Sequence, residues 1–189
     1  TDMVAGTNLQ ILDPAGKIVA EVVKPAGAGD TVTFNGDNGG NDTLVVDFVN
    51  GSPVPGGGLT FDGLNGNDTL SLQNGTATNV THTLIDGDTG NVSVDGGVVN
   101  YTNLAPVIDN LSVTNRVFTF TGAGETVILD ASGSLDNRID SDQSELVDFT
   151  NPSGSLTINL TNGSDTLNIR GLDAAFNANL TANGDADDT

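Results

Sequence analysis

The sequence predicts an all-β fold and, within that class, a right-handed parallel β-helix, a solenoid with coils of about 23–27 residues. Three observations lead there. Short runs of alternating apolar and polar residues, rich in Val, Ile, Leu and Thr, fill most of the 189 residues, and period-two runs of this kind form strands. Gly, Asn, Asp and Pro punctuate the runs, and no helical period of convincing length competes with them. One phrase also recurs four times, at Val32 to Leu44, Leu59 to Leu70, Leu156 to Leu167 and Leu180 to Thr189: an alternating stretch, a Gly/Asn/Asp turn, then Asp-Thr. Repetition on this scale marks a solenoid or an array.

The alternation places the elements in order. Strands are predicted at Asn8 to Leu12 and Lys17 to Val23, on either side of an Asp-Pro-Ala-Gly break, and then at Thr31 to Phe34 and Thr43 to Phe48, on either side of the first Gly/Asn/Asp turn. Leu59 to Phe61 and Thr69 to Leu72 repeat that pair. Thr81 to Ile85, Val92 to Val94, Val98 to Tyr101, Val117 to Phe120 and Thr126 to Leu129 follow, separated by Gly- and Asp-containing breaks. Leu146 to Phe149, Leu156 to Leu160, Thr166 to Ile169 and Ala178 to Thr181 complete the series. Asp136 to Glu145 reads as a polar loop, and Ala105-Pro106 and Asn115-Arg116 read as breaks.

The spacing of the phrase selects the solenoid over a sandwich of hairpins. Phe34 and Phe61, Asp42 and Asp68, Asn159 and Asn183, and Asp165 and Asp188 all recur at an interval of about 23–27 residues. Coils of that length hold two or three short strands, and like residues then stack about 4.8 Å apart along the axis. A sandwich has no reason to restate the same turn chemistry one coil later. The whole span 1–189 is read as one solenoid segment with the repeat weakest at about 90–151. A domain boundary near Pro106 is the weaker alternative, because strand spacing does not change there. The fourth copy stops at Thr189, where the other three place Leu, and this predicts a neighbouring repeat or copy that continues the coil.

Composition narrows the function. Acidic residues number 25 against five Lys and Arg, a formal net charge of −20, which disfavours nucleic acid and docking on an anionic membrane. Asp supplies 22 of the acids, in keeping with many tight turns. Divalent cations are the natural counter-charge. Cys is absent, so neither disulfides nor thiolate metal sites form. No apolar run approaches the ~20 residues that span a bilayer, so membrane insertion is not expected. Ten Asn-X-Ser/Thr triplets occur, at Asn41, Asn67, Asn74, Asn79, Asn91, Asn100, Asn110, Asn159, Asn162 and Asn179, as an Asn- and Thr-rich chain generates by chance.

Gly40-Asn-Asp-Thr-Leu44 and Gly66-Asn-Asp-Thr-Leu70 resemble the Gly-Gly-X-Gly-X-Asp-X-Leu nonapeptide of RTX proteins, whose turns bind calcium inside a parallel β-roll. More broadly, Val99 to Asp109, followed by Phe149 to Thr157 and the Asp-Thr-Leu turn, resembles the β-solenoid repeat units of very large bacterial surface and adhesin-like proteins. That resemblance implies an extracellular or cell-surface setting. Stacking Asp42 on Asp68, or Asp165 on Asp188, brings like charges together, and calcium would relieve the repulsion. Its oxygen donors would be Asp37, Asn41, Asp42, Asn65, Asn67 and Asp68 in one group and Asp165, Asp185, Asp187 and Asp188 in the other. In the competing reading, each Asp caps its own turn through backbone N–H groups. Asp86-Gly-Asp88 and Asp136 with Asp140, Asp142 and Glu145 lack the spacing of an EF-hand.

Catalysis finds little support. His82 is the one histidine, and a solvent-facing strand position accounts for it; Arg116, Arg138 and Arg170 are the arginines, and the core claims most of the few aromatic rings. Thr-X-Thr pairs at Thr31/Thr33, Thr76/Thr78, Thr81/Thr83 and Thr119/Thr121 suggest the flat ice-binding faces of some solenoids. Along the chain they fall at unequal intervals that fit no single coil length, so strand propensity is the reading adopted for them. The sequence therefore predicts a non-enzymatic extracellular structural or adhesive module. It would be a subunit or repeat of a surface protein or filament that stacks end to end, with calcium as counter-ion and glycans as candidate ligands. A carbohydrate-binding or polysaccharide-cleaving β-helix is the alternative.

Overall fold

The computed structural model describes residues 27–131 and 135–189 in full, and Asp2–Val4, Asn8–Leu12 and Ile18–Val23 as backbone strands. Lys17, assigned above to a strand, lies outside the described residues. The fold is all-β, with no helix among these residues. Its strands are β1 (Asp2–Val4), β2 (Asn8–Leu12), β3 (Ile18–Val23), β4 (Val32–Asn35), β5 (Thr43–Asp47), β6 (Leu59–Asp62), β7 (Thr69–Gln73), β8 (Thr76–Leu84) and β9 (Gly90–Val94). They continue as β10 (Gly97–Thr102), β11 (Val107–Asp109), β12 (Ser112–Ala123), β13 (Thr126–Asp130), β14 (Asn137–Ser141), β15 (Val147–Phe149), β16 (Ser155–Asn162), β17 (Thr166–Ile169) and β18 (Asn179–Asn183).

Two eight-stranded mixed sheets and one hairpin, β2 with β3, hold these strands. The first sheet runs β4-β6-β10-β9-β8-β12-β16-β18, and the second runs β1-β5-β7-β11-β15-β14-β13-β17. From β4 onward the chain passes back and forth between them, and most neighbours are parallel. The expected spacing holds toward the two ends, where Val32 pairs with Leu59, Thr43 with Thr69 and Ser155 with Asn179, each one predicted coil further along the chain. In the middle, partners lie 36 to 40 residues apart, as with Asn79 and Asn115 or Thr119 and Asn159.

The longer spacing has a topological cause. From the second sheet the chain enters the first at β8, skips two places, and folds back through β9 and β10 in antiparallel register before resuming beside β6. The same S-shaped excursion recurs in the second sheet as β13, β14 and β15. This corrects two expectations. Asp136 to Glu145 is not wholly a loop, because Asn137 and Ile139 turn inward and make β14 the central strand of that excursion. Asn115-Arg116 is not a break either; it lies within β12, where Arg116 finds buried partners.

The core lies between the inner faces. In the second sheet, register aligns Leu44, Leu70, Val107, Val147, Ile139 and Leu129 in one buried row. Each side chain of this size, fully removed from water, contributes about 1.5–3 kcal/mol before chain entropy is counted. In the first sheet the inward row includes Leu59, Val99, Val92, His82, Phe118 and Ile158. Beside it, one residue on along the parallel strands and one residue back on antiparallel β9, the outward row is Thr or Asn on all eight: Thr33, Thr60, Asn100, Asn91, Thr83, Thr119, Asn159 and Asn183.

Candidate functional site

The recurring acid-Thr pair stands at the entry to the strands of the second sheet. Thr43 pairs with Thr69 and Thr126 with Thr166, and the Thr166 and Thr189 hydroxyls lie 3.1 Å apart, so the acids that precede them form a column. The backbone N–H of three of these acids donates to the carboxylate on the next rung: Asp42 to Asp68 Oδ1 at 2.6 Å, Glu125 to Asp165 Oδ1 at 2.7 Å and Asp165 to Asp188 Oδ1 at 2.8 Å. Glu125-Thr126 is thus a further copy of the phrase, with Glu in place of Asp. An acid-Thr pair closing a glycine-containing turn, Gly122 to Thr126, carries the signal once either acid is admitted. Glu145 occupies the matching position before β15, where its Oε1 accepts the Leu146 N–H at 2.8 Å.

A glycine makes room for the carboxylate. A Cβ on Gly36 would stand 2.7 Å from Asp42 Oδ2, and one on Gly63 would stand 2.6 Å from Asp68 Oδ2 and closer still to the Asn103 carbonyl. Gly184 bears the same relation to Asp188 Oδ2, at 2.6 Å. On the outer rungs, Asp42 Oδ2 accepts the Asp37 N–H at 2.7 Å, and both oxygens of Asp188 are occupied, since its Oδ2 accepts the Asp185 N–H at 2.6 Å beside the Asp165 N–H on Oδ1. On the inner rungs Asp68, Glu125, Glu145 and Asp165 are buried, and each keeps one oxygen without a hydrogen-bond partner.

The ten candidate calcium ligands fall into two groups near opposite ends of the sheets. Asp42 meets Asp68, the Asn67 N–H donates to Asn41 Oδ1 at 3.1 Å, and the Asn65 amide donates to Asn38 Oδ1 at 2.8 Å. Asp37 accepts the Gly40 N–H at 2.7 Å, Asp185 accepts the Asp187 N–H at 3.0 Å, and Asp187 is exposed. Seven of the ten residues, Asp37, Asn41, Asp42, Asp68, Asp165, Asp185 and Asp188, thus have a side-chain oxygen engaged by a backbone N–H group. Among the described residues no three His, Cys, Asp or Glu side chains gather to hold a metal ion. Calcium takes about six to eight oxygens, whereas Asp68 and Asp165 each offer one buried oxygen without a partner.

The second constellation is buried between the sheets. Asp109, at the end of β11, receives His82 Nε2 at 2.9 Å from β8 and Arg116 Nε at 3.0 Å from β12. Arg116 also donates to the carbonyls of Leu111, at 3.2 Å, and Thr150, and lies 5.4 Å from the centre of the Phe149 ring. His82 stacks on Phe118 with ring centres 4.8 Å apart. Burial pushes the Asp109 carboxyl up, but the Arg116 guanidinium and the His82 bond outweigh it and hold the group below its ordinary range. Burial lowers the His82 pKa, against the opposing pull of Asp109.

His82 is therefore not solvent-facing. Its side chain has zero exposure, because it shares the inward frame of Val80 and Leu84, and that frame was readable in the alternation Val80-Thr-His-Thr-Leu84. An acid beside His82 and Arg116 is what polysaccharide cleavage would ask for, but the side chains of Asp109, His82 and Arg116 are all sealed from solvent. Two other buried acids hold local structure. Glu125 Oε1 takes the hydroxyls of Ser141, at 3.2 Å, and Ser144, and Arg138 grips Asp148 with bonds of 2.7 and 3.0 Å. Of the ten Asn-X-Ser/Thr triplets, those at Asn79, Asn91, Asn100, Asn159 and Asn179 lie on strands of the first sheet, where alternation sets Asn and Ser/Thr side by side on one face.

No protein-family model matches the chain, and no match was found among curated proteins or among solved structures.

Proposed function

We propose that this chain is a non-enzymatic extracellular module of a surface protein or filament, structural or adhesive in role, built as a right-handed parallel β-solenoid interrupted by two antiparallel excursions. One observation carries the reading: the carboxylate of one rung caps the backbone of the rung before it, as Asp68 caps Asp42 and Asp188 caps Asp165. A rung completed by its successor is the unit of an array. Outer strands present unpaired N–H and C=O groups that pair with a further strand, and β18 and β17 are outer strands of the two sheets. Neighbouring copies or repeats, stacked end to end, are the partners this implies. The acidic turns are where calcium would reinforce such stacking, through the unpartnered oxygens of Asp68 and Asp165. Burial of His82, Asp109 and Arg116 supports a structural role for the groups otherwise best suited to catalysis.

Electron microscopy and light scattering of the purified chain, with calcium and with a chelator, test this. Concentration-dependent end-to-end assemblies are expected. Discrete monomers under every condition would overturn self-assembly, and an unchanged melting temperature on chelation would remove calcium from the account.

A further inference from the structure

The outer face of the first sheet takes part in neither the core nor the carboxylate column. The chain carries 25 acidic residues, yet the eight strands of this sheet hold only Asp62, tied down by the Asn103 amide at 2.8 Å and the Leu64 N–H at 3.0 Å. His82 and Arg116, the basic residues on these strands, point inward. Apart from Asp62 on β6, what remains outside is a surface of Thr, Asn and Ser with an occasional Val, and β8, β9, β12, β16 and β18 present no charged side chain on it. Several of these side chains are fixed by one another: Asn159 donates to Thr119 at 3.2 Å, Asn183 to Asn159 at 2.9 Å, Asn115 to Asn79 at 3.1 Å and Ser155 to Asn115 at 2.9 Å.

Strand geometry sets the periods of this surface, about 4.8 Å between strands and about 6.7 Å between alternate residues along a strand. No two Thr-X-Thr pairs stack in register, but Thr and Asn recur along the rows. In space, Thr81 and Thr83 pair with Val117 and Thr119, which pair with Thr157 and Asn159, and those with Thr181 and Asn183. Charged groups would orient water radially around themselves, and none stands in these rows. Tyr101, Phe118 and Phe120 of the same strands are buried, so the face has no aromatic platform for a sugar ring. A neutral, pre-positioned grid of hydroxyls and amides without apolar plates fits a lattice that is all hydrogen bonds. We propose that this face binds ice.

Slow growth of an ice hemisphere in a dilute solution of the full chain, together with thermal hysteresis of the same sample, tests the proposal. The chain should concentrate in the ice and depress its growth temperature. The variant Thr83→Lys/Thr119→Lys, charged at the centre of the face, should lose about tenfold in ice retention, as expected when a central anchor is replaced. Gln73→Lys, on the outer face of the second sheet, should retain wild-type behaviour. Circular dichroism and a melting curve check each fold, and Thr157→Lys serves if the double variant unfolds. No enrichment of the wild-type chain in ice, full retention by a folded Thr83→Lys/Thr119→Lys chain, or equal loss in Gln73→Lys would each overturn the proposal. So would retention on insoluble cellulose without retention in ice, which would assign the face to a neutral polysaccharide. Ice retention does not depend on end-to-end assembly, so the two readings fail separately.

Discussion

Asp42 and Asp68 are 26 residues apart in sequence and joined by a 2.6 Å hydrogen bond from the backbone N–H of the first to Oδ1 of the second. The same bond links Glu125 to Asp165 and Asp165 to Asp188. A turn between stacked strands must satisfy donors that no strand pairing reaches, and an acid on the following rung does so with a charged acceptor. Such bonds are worth more than neutral ones.

Removing the acceptor should therefore cost stability wherever the donor is buried. Asp165→Ala strands the Glu125 N–H and should destabilise by about 1–3 kcal/mol, whereas Asp68→Asn keeps an oxygen for the Asp42 N–H and should cost less than Asp68→Ala. Urea unfolding with an unchanged m-value measures both. Equal stability of Asp165→Ala and the wild-type chain would remove the cap from the account.

Gly63→Ala tests the space beneath the carboxylate. The added Cβ would meet Asp68 Oδ2 at 2.6 Å and the Asn103 carbonyl still closer, so a loss of about 2–3 kcal/mol or more is expected. At Gly29 nothing lies within 4 Å of a new Cβ, and Gly29→Ala should stay within about 0.5 kcal/mol of wild type. Thermal melts of the pair decide.

Arg116→Met leaves Asp109 buried beside His82 alone and should cost about 3–5 kcal/mol, while replacing the set together, His82→Phe/Asp109→Leu/Arg116→Met, should recover much of that loss. Chemical denaturation of the single and triple variants gives the coupling. Additive losses would show that the three do not act as a unit.

Stability should peak between two pH limbs. Burial pushes the Glu145 carboxyl up to about 8 from 4.5, opposed by the Leu146 N–H and assisted by Asp140 and Asp88. The folded chain thus holds a proton that the unfolded chain has lost, and stability falls as pH rises from 4.5 to about 8. His82 acts oppositely. With its folded pKa lowered, the unfolded chain protonates first, and stability falls as pH drops below 6.5. Asp109, held below its ordinary 3.8, loses its contribution further down, as acid protonates it in the folded chain. Between 4.5 and 6.5 the two offset each other, so Glu145→Gln should flatten the alkaline limb of melting temperature against pH and let the acid limb begin nearer 6.5.

Much of the fold was legible in the residues themselves. Alternation located most strands, and the Asp-Thr phrase gave correct partners toward both ends, because a stacked turn repeats its own capping chemistry. The candidate site was legible less evenly. Asp42, Asp68, Asp165 and Asp188 were found by repetition, but Glu125 and Glu145 escaped because the longer acid disguised their place in the column. His82 was misread although it stands in frame with Val80 and Leu84. Its polarity suggested solvent, and Asp109 on the opposite sheet, 27 residues away, is what makes burial tolerable.

The sequence by itself determined the all-β class and the recurring Asp of the turns at Asp42, Asp68, Asp165 and Asp188, since each follows from periodicity or local turn chemistry. Only the tertiary structure decided that β9 and β14 run antiparallel, that partners in the middle lie much further apart along the chain than one predicted coil, and that Thr and Asn align into one outward row across the first sheet. The physical reason is that a period of two is the same in either strand direction and names no partner. Register is fixed by which inward rows pack together across the sheets, and that packing exists only once the chain has folded.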